Sequence, residues 1–461
     1  MLATKNVSLV KNRNFLIVAI ALGVILNPLN TTMITVALPE IKDEFLLTSK
    51  DITWLIASYF IVSAIFLPLI GKLSDTYGRK KIFLFGLLLV GISSFTAPLS
   101  PNMPFLLGMR TIQAIGTSAL YPAGIGIVRS YIQKNQNRVI GTLSVFATTS
   151  AAFGPTISGL LIQQGGWHVI FYVNFPIIII SAILAVLFIP NDVRSTNNTF
   201  KWDGIGIILF SLFITCWMYF FQTLARGLNV WALIGSLVLT FLFYFFEKKK
   251  AGPFIDVIFL KNNPNISLVY VQYILATVIF FALLLSMPIY LQSVLKLSSQ
   301  LTGIIMLSIS IFSIVTTPLA TRWIDKSGYR KPLLTGGIIG VVGGVLLLTI
   351  NHNSPLYWIF IVLATIGLSN GILNIGLQTR LYSFVSIAET GTASGLFMTS
   401  RFIGNILASS VFGVIFAAGV NDTSQNWLTI ILLIVSVILL PGILFITKKM
   451  QVMHGDGSSA S

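Results

Sequence analysis

The sequence predicts an all-α integral membrane protein with fourteen transmembrane helices. Of the 461 residues, 55% are hydrophobic and only 9% are charged, whereas soluble domains carry about 25% charged residues. The hydrophobic residues form fourteen runs, each near the roughly 20 residues that a helix needs to cross a bilayer. Lys and Arg concentrate in alternate loops between these runs, as the positive-inside rule predicts.

The predicted spans follow one another through mostly short loops. They cover residues 14–36, 53–72, 82–100, 104–127, 139–163, 169–189, 205–224, 228–246, 266–294, 300–322, 332–350, 355–378, 391–419 and 427–447. The basic loops are those that face the cytoplasm in membrane proteins. Because the number of spans is even, we expect both termini in the cytoplasm.

A polar loop between the second and third spans, residues 71–81, has a degraded copy between the tenth and eleventh spans. Asp75 and Gly78 in the first loop match Asp325 and Gly328 in the second. A loop that occurs at the same place in two halves of a chain indicates a duplicated transporter. The copies are eight spans apart rather than six, so two extra helices are expected between two six-helix halves.

This duplication divides the chain into four predicted parts. Residues 1–190 form an N-terminal six-helix bundle, and residues 191–262 contain a linker and the two inserted helices. Residues 263–448 form the C-terminal six-helix bundle, and residues 449–461 form a flexible tail. The inserted pair has no copy elsewhere in the sequence, so we expect it to be peripheral.

The composition also bears on the class of function. The net charge is +16, but the bases lie in loops between apolar runs, where they fit membrane topology and contact with anionic lipids rather than nucleic acid. The single Cys216 excludes an intrachain disulfide, and the three histidines have no metal-ligand spacing. The sequence contains no nucleophile–base set and no phosphate loop, so neither an enzyme nor a cofactor is expected.

Five segments share motifs with one group of transporters. They are Leu29–Pro39, Gly71–Lys80, the set Arg110, Gln113 and Gly116, the set Gly154, Pro155 and Gly159, and Trp167–Pro176. The second segment fits the pattern G-x-L-x-D-x-x-G-R-[KR] throughout. In the other segments Ala114, Ser150 and Ser158 replace glycines of the motifs. Together the five segments resemble the major facilitator superfamily, and specifically its fourteen-helix drug:proton antiporter family.

The resemblance implies a multi-pass transporter of the bacterial inner membrane, with the two-bundle fold plus two extra helices. Its implied function is multidrug efflux by alternating access, in which amphipathic drugs and dyes of the fluoroquinolone, ethidium or acriflavine type leave in exchange for protons. The implied partners are these small molecules, protons and membrane lipids, and the chain is expected as a monomer or weak homodimer. A proton-independent facilitator, or a narrow exporter of a metabolite or lipid, stays open.

A carboxylate at the end of the second span has a physical reason to bind a helix N-terminus, where the helix dipole favours an anion. The resemblance implies that Asp75 binds the helix that opens near Thr390 and Gly391, and that this contact closes the cytoplasmic side, with Arg79 pairing nearby. A turn whose glycines and bases serve only topology is the alternative. The complete predicted gating set is Gly71, Asp75, Gly78, Arg79, Gly154, Pro155, Asp325 and Arg401.

Four other residues of the predicted spans either disturb a helix or carry charge inside one. Gly154 and Pro155 remove a backbone hydrogen bond and permit close helix approach, which fits either a gating bend or tight packing. Only Arg110 and Arg401 are placed well inside helices, at a cost of at least about 3 kcal/mol each near mid-bilayer. The resemblance assigns Arg110 to proton transfer, whereas Arg401 fits a bracing role.

None of the thirteen acidic residues falls in the middle of a predicted span, although a proton-driven pump usually needs a titratable group there. The family places an aspartate where this chain has Asn30, which keeps the shape of Asp but cannot ionise. Three explanations stay open. The chain is an Asp→Asn variant that mimics the protonated state, or coupling has moved to an acid such as Glu40 or Asp51, or the protein is not proton-coupled.

The substrate pocket is expected near the midplane between the two halves. Amide and hydroxyl side chains among Phe, Met and Leu would give adaptable apolar walls with few fixed polar contacts. For any one amide, an interhelical hydrogen bond is the competing interpretation. The candidates are Asn27, Asn30, Thr31, Gln113, Tyr121, Asn174, Gln272, Asn370, Asn374 and Gln378.

Overall fold

A computed structural model of the chain describes residues 12–47, 49–191, 203–224, 227–250, 252–417 and 419–455. Within these ranges the regular structure is helical. The helices are α1 (Arg13–Glu44), α2 (Ser49–Tyr77), α3 (Arg79–Thr96), α4 (Met103–Tyr131), α5 (Gln136–Gly165), α6 (Val169–Tyr172), α7 (Asn174–Phe188), α8 (Gly204–Thr223), α9 (Val230–Lys249), α10 (Val257–Asn262), α11 (Pro264–Ser293), α12 (Ser299–Ser327), α13 (Arg330–Leu347), α14 (Leu356–Phe384), α15 (Thr390–Ile415) and α16 (Asp422–Gly455).

The described residues contain thirteen helices long and apolar enough to cross a membrane, or fourteen if α5 counts as one bent span. The bend in α5 is 41° and separates Gln136–Ala151 from Phe153–Gly165. Pro155 accounts for it, because proline cannot donate to the carbonyl four residues earlier, which belongs to Ala151. The predicted all-helical membrane class and its number of spans are confirmed.

Several helices extend beyond their predicted apolar runs. Helix α1 continues to Glu44, and α14 continues to Phe384. The prediction that Arg110 and Arg401 are the only bases well inside helices is therefore wrong, because Arg380 lies in α14 and is 1% exposed. An apolar run in the sequence ends at the first charged residue. The helix can continue past that residue when neighbouring side chains cover its aliphatic part and hydrogen-bond its charged group.

The sixth predicted span is interrupted rather than continuous. Its N-terminal part is the single turn α6, and its main part, α7, begins at Asn174. Trp167 packs just before α6 and is 1% exposed, and its indole Nε1 donates to Glu44 Oε2 at 2.5 Å. The break therefore places an amide, rather than an apolar residue, at the first position of α7.

The chain forms two compact units. The first takes in the described residues up to Ile207 together with Val385–Phe402, and the second takes in Ile208–Phe384 and the residues from Ile403 onward. In the first unit α4 packs against α1, α2 and α3, and α1 packs against α5 and α7. In the second unit α14 packs against α11, α12 and α13, and α16 packs against α11 and α13. The four-part division predicted from the sequence stays a prediction.

The two matched loops have the same backbone at their glycines. Gly78 has a φ of +111° and Gly328 a φ of +74°, a region that side chains with a Cβ rarely adopt. Both glycines end a helix, and their N–H groups donate to Ser74 O and Ile324 O respectively. These positions are therefore turn glycines, as the duplicated pattern predicts.

Candidate functional site

The carboxylate of Asp75 lies against the first turn of α15. Its Oδ1 accepts from the Gly391 N–H at 3.0 Å, and its Oδ2 accepts from the Thr392 N–H at 2.9 Å. These N–H groups have no partner within their own helix, and the positive end of the helix dipole adds to the attraction. The predicted hydrogen bonds are present, whereas the role of this contact in gating stays a prediction.

Arg79 extends the same contact to two further segments. Its Nη2 donates to Asp75 Oδ1 at 3.1 Å and to Ile387 O at 2.5 Å. Its Nη1 donates to Gly126 O at 2.8 Å and also to the Ser130 hydroxyl. The guanidinium lies flat against the backbone of α4, because a Cβ on Gly126 would be only 2.6 Å from Arg79 Nε.

Sequence reasoning missed Arg129, which was assigned to a basic loop. Arg129 lies in the last turn of α4 and donates to Val385 O at 2.9 Å and to Thr390 Oγ1 at 2.9 Å. Arg129 therefore connects the end of α4 to the turn that precedes α15. Its position just past an apolar run was a sequence signal, because a base at the end of a helix can hydrogen-bond carbonyl groups instead of facing water.

Helices α2 and α15 approach each other at backbone distance. A Cβ on Gly395 would be 2.3 Å from Leu67 O, and one on Gly71 would be 2.2 Å from Gly391 O. Gly71 is inside α2 rather than in the turn, so its role is close packing and not turn formation. The hydroxyl of Thr399 adds a hydrogen bond to Ala64 O at 2.9 Å.

A second polar site is centred on Asn30, which is 4% exposed. Its Nδ2 donates to Leu26 O at 2.7 Å and to Asn174 Oδ1 at 3.1 Å. Its Oδ1 accepts from Asn174 Nδ2 at 2.9 Å and from Gln113 Nε2 at 3.0 Å. Both ends of the Asn30 amide are therefore satisfied, and the Asn30 and Asn174 side chains form a reciprocal amide pair.

Arg110 joins this network through the side chain of Gln113. Arg110 is 2% exposed, and its Nη1 donates to Gln113 Oε1 at 2.6 Å. Its guanidinium carbon lies 4.5 Å from the ring centroid of Tyr59, a cation–π distance. The arginine predicted for proton transfer thus contacts the Asn30 side chain through one intervening amide.

Three hydroxyls that were not among the predicted candidates lie in or beside the network. Ser94 accepts from Asn174 Nδ2 at 3.0 Å and from Gln113 Nε2 at 3.4 Å. The Tyr59 hydroxyl and Thr117 Oγ1 are 2.7 Å apart, and Asn27 Nδ2 donates to both. A serine pair in the middle of an apolar span, Ser93 and Ser94, was the signal that could have identified α3 as a contributor.

The neighbouring candidates in the first unit have local roles. Thr31 Oγ1 donates to Pro28 O of its own helix at 2.9 Å, and Tyr121 is buried on α4. Gly154 packs against α1, since a Cβ there would be 2.0 Å from Thr32 Oγ1, while Pro155 is exposed. Arg401 is half-buried on α15.

Two candidates of the second unit bond to different partners. Asn370 Nδ2 donates to Ser313 Oγ at 3.0 Å, and Asn374 Oδ1 accepts from the Tyr273 hydroxyl at 3.5 Å. Gln378 is fully buried on α14. Asp325 is exposed near the end of α12, in contrast with the buried position of its counterpart Asp75.

The network around Asn30 suits a protonated carboxyl as well as an amide. A hydrogen on the atom facing Leu26 O is needed for the 2.7 Å contact, and either an amide or a protonated carboxyl supplies it. An ionised aspartate at position 30 would place two acceptors against each other there. The contacts of Asn30 with Leu26 O and Gln113 are therefore ones that a protonated carboxyl also makes, whereas its second donation, to Asn174 Oδ1, requires an amide.

Among the residues that the structure describes, no three His, Cys, Asp or Glu side chains lie close enough to hold a metal ion. The polar groups that come together in the first unit are amides, hydroxyls and one guanidinium. Such groups can bind, orient and pass protons, but they form no nucleophile–base pair.

Comparisons with known proteins agree with this architecture. The chain matches the family model described as Major Facilitator Superfamily over residues 20–409 and 269–453. It is 38% identical over 431 residues to the Bacillus subtilis "Uncharacterized MFS-type transporter YwoD", covering 92% of this chain and 95% of that protein. It is 26% identical over 428 residues to "Multidrug resistance protein Stp" of Mycobacterium tuberculosis, covering 89% of this chain and 77% of that protein.

One solved structure supports the same fold. The human organic anion transporter MFSD10 superimposes with a TM-score of 0.68, covering 92% of this chain and 99% of that chain. The two sequences are only 14% identical. The likeness therefore concerns the arrangement of helices and not the transported compound.

Proposed function

The chain is a multi-pass membrane transporter that belongs to the Major Facilitator Superfamily, and we propose that it exports amphipathic drugs and dyes in exchange for protons. The observation that carries the proposal is the buried network of Asn30, Gln113, Asn174 and Arg110. It unites residues of three separate antiporter motifs in one place. The multidrug relative, 26% identical over most of this chain, supports the substrate class.

Proton coupling is assigned to position 30 together with Arg110. When position 30 is an aspartate, the one hydrogen of its protonated form replaces the donation of Asn30 to Leu26 O, and its carbonyl oxygen accepts from Asn174 Nδ2 and Gln113 Nε2. Loss of the proton would leave a carboxylate against the Leu26 carbonyl, with Gln113 and Arg110 as the nearest favourable partners. The network would then have to rearrange toward Arg110, and that rearrangement would link proton release to a change of conformation.

Gating is assigned to the contact of Asp75 with α15. The Asp75 carboxylate accepts charge-assisted hydrogen bonds from Arg79 and from two N–H groups at the N-terminus of α15. Arg79 also donates to Gly126 O, so these bonds connect α2, α4 and α15. The bonds from Gly391 and Thr392 to Asp75 depend on α2 and α15 being at backbone distance. Separation of α15 from α2 would break them together, as expected for a two-state latch.

The polar candidates are proposed to fix substrates within otherwise apolar walls. Asn27, Asn30, Gln113 and Asn174 already have hydrogen-bond partners, so an arriving substrate would exchange bonds with them rather than find free groups. Thr31 and Asn370 are half-buried and are the better candidates for direct contact. Few fixed polar contacts suit a transporter with many amphipathic substrates.

A proton-independent facilitator or narrow exporter is the alternative function, and one observation favours it. The network around Asn30 contains amides, hydroxyls and a guanidinium, but no carboxyl group among the residues described there. With Asn30 in place, nothing in this network releases a proton near neutral pH. Glu40 is exposed near the end of α1, and the side chain of Asp51 lies outside the described residues.

Transport by the full chain in proteoliposomes distinguishes the two functions. Ethidium, acriflavine and a fluoroquinolone are loaded, and their exit is followed with and without a pH gradient. We expect Asn30→Asp to raise gradient-driven export and Asn353→Asp, in an exposed loop, to leave it unchanged. Equal export with the gradient collapsed, in both the unsubstituted protein and the Asn30→Asp variant, would reject proton coupling in favour of a facilitator.

A further inference from the structure

Arg380 is a deeply buried charged side chain of the second unit, yet only part of its guanidinium is bonded. It lies on α14, four residues before the end of that helix, and is 1% exposed. Its Nη1 donates to Gln272 Oε1 at 3.4 Å. Its Nε and Nη2 have no hydrogen-bond acceptor among the described residues.

The two unbonded nitrogens lie on one edge of the guanidinium. In arginine, the hydrogens of Nε and Nη2 point in the same direction, and this edge binds both oxygens of a carboxylate or phosphate at once. Arg110 also donates only through Nη1 among the described residues, but it is part of the hydrogen-bond network around Asn30 and its guanidinium carbon is 4.5 Å from the Tyr59 ring centroid. Arg380 therefore presents a complete bidentate donor edge that no group of the described protein uses.

The side chains of Gln272 and Tyr329 lie next to Arg380, and neither of them is an anion. Gln272 turns its oxygen to Arg380, and its Nε2 is also buried without an acceptor. The Tyr329 ring centroid is 5.8 Å from the guanidinium carbon. Among the described residues, Arg380 forms no ion pair with a carboxylate.

A glycine allows α16 to pack closely against this amide. Gly442 on α16 packs next to Gln272, and a Cβ at this position would be 3.0 Å from Gln272 Nε2. The site is thus formed by α11, α14 and α16 and by Tyr329, the residue before α13. The position of Tyr329 places it at the end of the helices near the loop between α12 and α13.

That loop is rich in exposed bases. They are Arg322, Lys326, Arg330 and Lys331, with Asp325 as the acid among them. Net positive charge on a protein surface raises the local concentration of anions. The exposed bases and the unbonded donor edge of the buried Arg380 therefore favour the same class of ligand.

A buried guanidinium with unmade hydrogen bonds is costly in the absence of an anion. We propose that Arg380, with Gln272, forms a binding site for an oxyanion group, a phosphate or a carboxylate, that accepts from Nε and Nη2 together. The group comes either from a free anion or from the headgroup of an anionic lipid. The site lies in the interior of the second unit and involves neither Asn30 nor Asp75, although Gln272 is also one of the candidates for the substrate pocket.

Thermal unfolding of the purified full chain tests the proposal. Delipidated protein in detergent is titrated with inorganic phosphate, with acetate and with phosphatidylglycerol, against chloride at equal ionic strength and phosphatidylcholine as controls. At ten times the Kd we expect Tm to rise by about 3 °C. A rise with phosphate or acetate identifies a free anion as the source, and a rise with phosphatidylglycerol alone identifies the lipid headgroup.

Substitutions assign the effect to Arg380. Arg380→Gln should abolish the rise, and Arg380→Lys, which keeps the charge but loses the fork, should raise the Kd at least about tenfold. Lys42→Gln, an exposed base in the last turn of α1 in the first unit, should change neither. If Arg380→Gln does not fold, Arg380→Lys and Gln272→Leu carry the test. No rise with any of the three ligands, or an equal rise in the Arg380 variants, would overturn the site.

Discussion

Gly71 and Gly391 face each other so closely that a Cβ on Gly71 would be 2.2 Å from the carbonyl oxygen of Gly391. The reverse contact is as close, at 2.4 Å from a Cβ on Gly391 to Gly71 O. Neither neighbour is the end of a flexible side chain, so a methyl group can be accommodated only if α2 and α15 separate. The contact at Asp75, one helical turn further along α2, depends on this approach.

Gly71→Ala should therefore destabilise the first unit by about 1–3 kcal/mol, the usual cost of overpacking. The measurement is thermal or denaturant unfolding of the purified protein. Gly303→Ala is the matched control, because a Cβ at Gly303 would meet nothing within 4 Å. A Gly71→Ala protein as stable as the control would mean that α2 and α15 are not held at backbone distance.

Asp75→Asn should loosen the first turn of α15. An amide offers one oxygen where the carboxylate offers two to Gly391 and Thr392, and it loses the charge that the helix dipole favours. We expect amide exchange in this turn to accelerate about tenfold, the factor that corresponds to one hydrogen bond of ordinary net strength. Hydrogen-exchange mass spectrometry measures it.

The internal repeat provides the control for that substitution. Asp325→Asn changes the matching residue, which is exposed, and should alter exchange in α15 by much less. If both substitutions accelerate exchange equally, the effect arises from net charge rather than from the contact between Asp75 and α15.

Asn30 and Asn174 should be energetically coupled. Each amide satisfies both ends of the other, so replacing one with Leu leaves buried polar groups unpaired, at about 1–3 kcal/mol. Replacing both removes the unpaired groups together. The double variant should therefore lose less stability than the sum of the single variants, by about 1 kcal/mol in a double-mutant cycle of unfolding free energies. Additive losses would contradict the reciprocal pair.

Tyr290→Phe should destabilise the second unit by about 1–2 kcal/mol. The Tyr290 hydroxyl donates to Asp422 Oδ1 at 2.5 Å, and His352 Nδ1 lies 2.7 Å from Asp422 Oδ2. Three segments far apart in sequence therefore meet at one carboxylate. Unfolding measurements on Tyr290→Phe should differ from those on Tyr219→Phe, whose side chain is 43% exposed. Equal stability of the two variants would mean that the hydroxyl contributes nothing.

Patterns along the chain predicted what depends on local chemistry. Apolar runs predicted the spans because a helix in lipid must satisfy its own backbone and expose apolar side chains. The turn glycines Gly78 and Gly328 were predictable because their conformation depends on the residue itself. The hydrogen bonds of Asp75 were predicted through the family motif rather than from composition.

Other features depend on contacts between distant segments, and the sequence did not predict them. The predicted spans end before Arg129 and Arg380, which placed both residues in loops. A charged residue ends an apolar run in the sequence whether its side chain finally contacts water or protein. Gly71 read as a turn residue, although it is inside α2 and matters because Gly391 packs against it. Ser94 and Tyr59 gave only a weak signal, since hydroxyl and phenol groups in a span are equally compatible with lipid, packing or a network.

The sequence by itself determined the class of this protein: a helical bundle in a membrane, duplicated, with a glycine-ended loop in each half. These properties follow from hydropathy, charge and backbone freedom, which belong to single residues and short runs. Only the tertiary structure decided which buried polar groups meet. Asn30 is paired with Asn174, 144 residues away, whereas Nε and Nη2 of Arg380 have no acceptor among the described residues. Burial and hydrogen bonding depend on neighbours that packing brings from elsewhere in the chain.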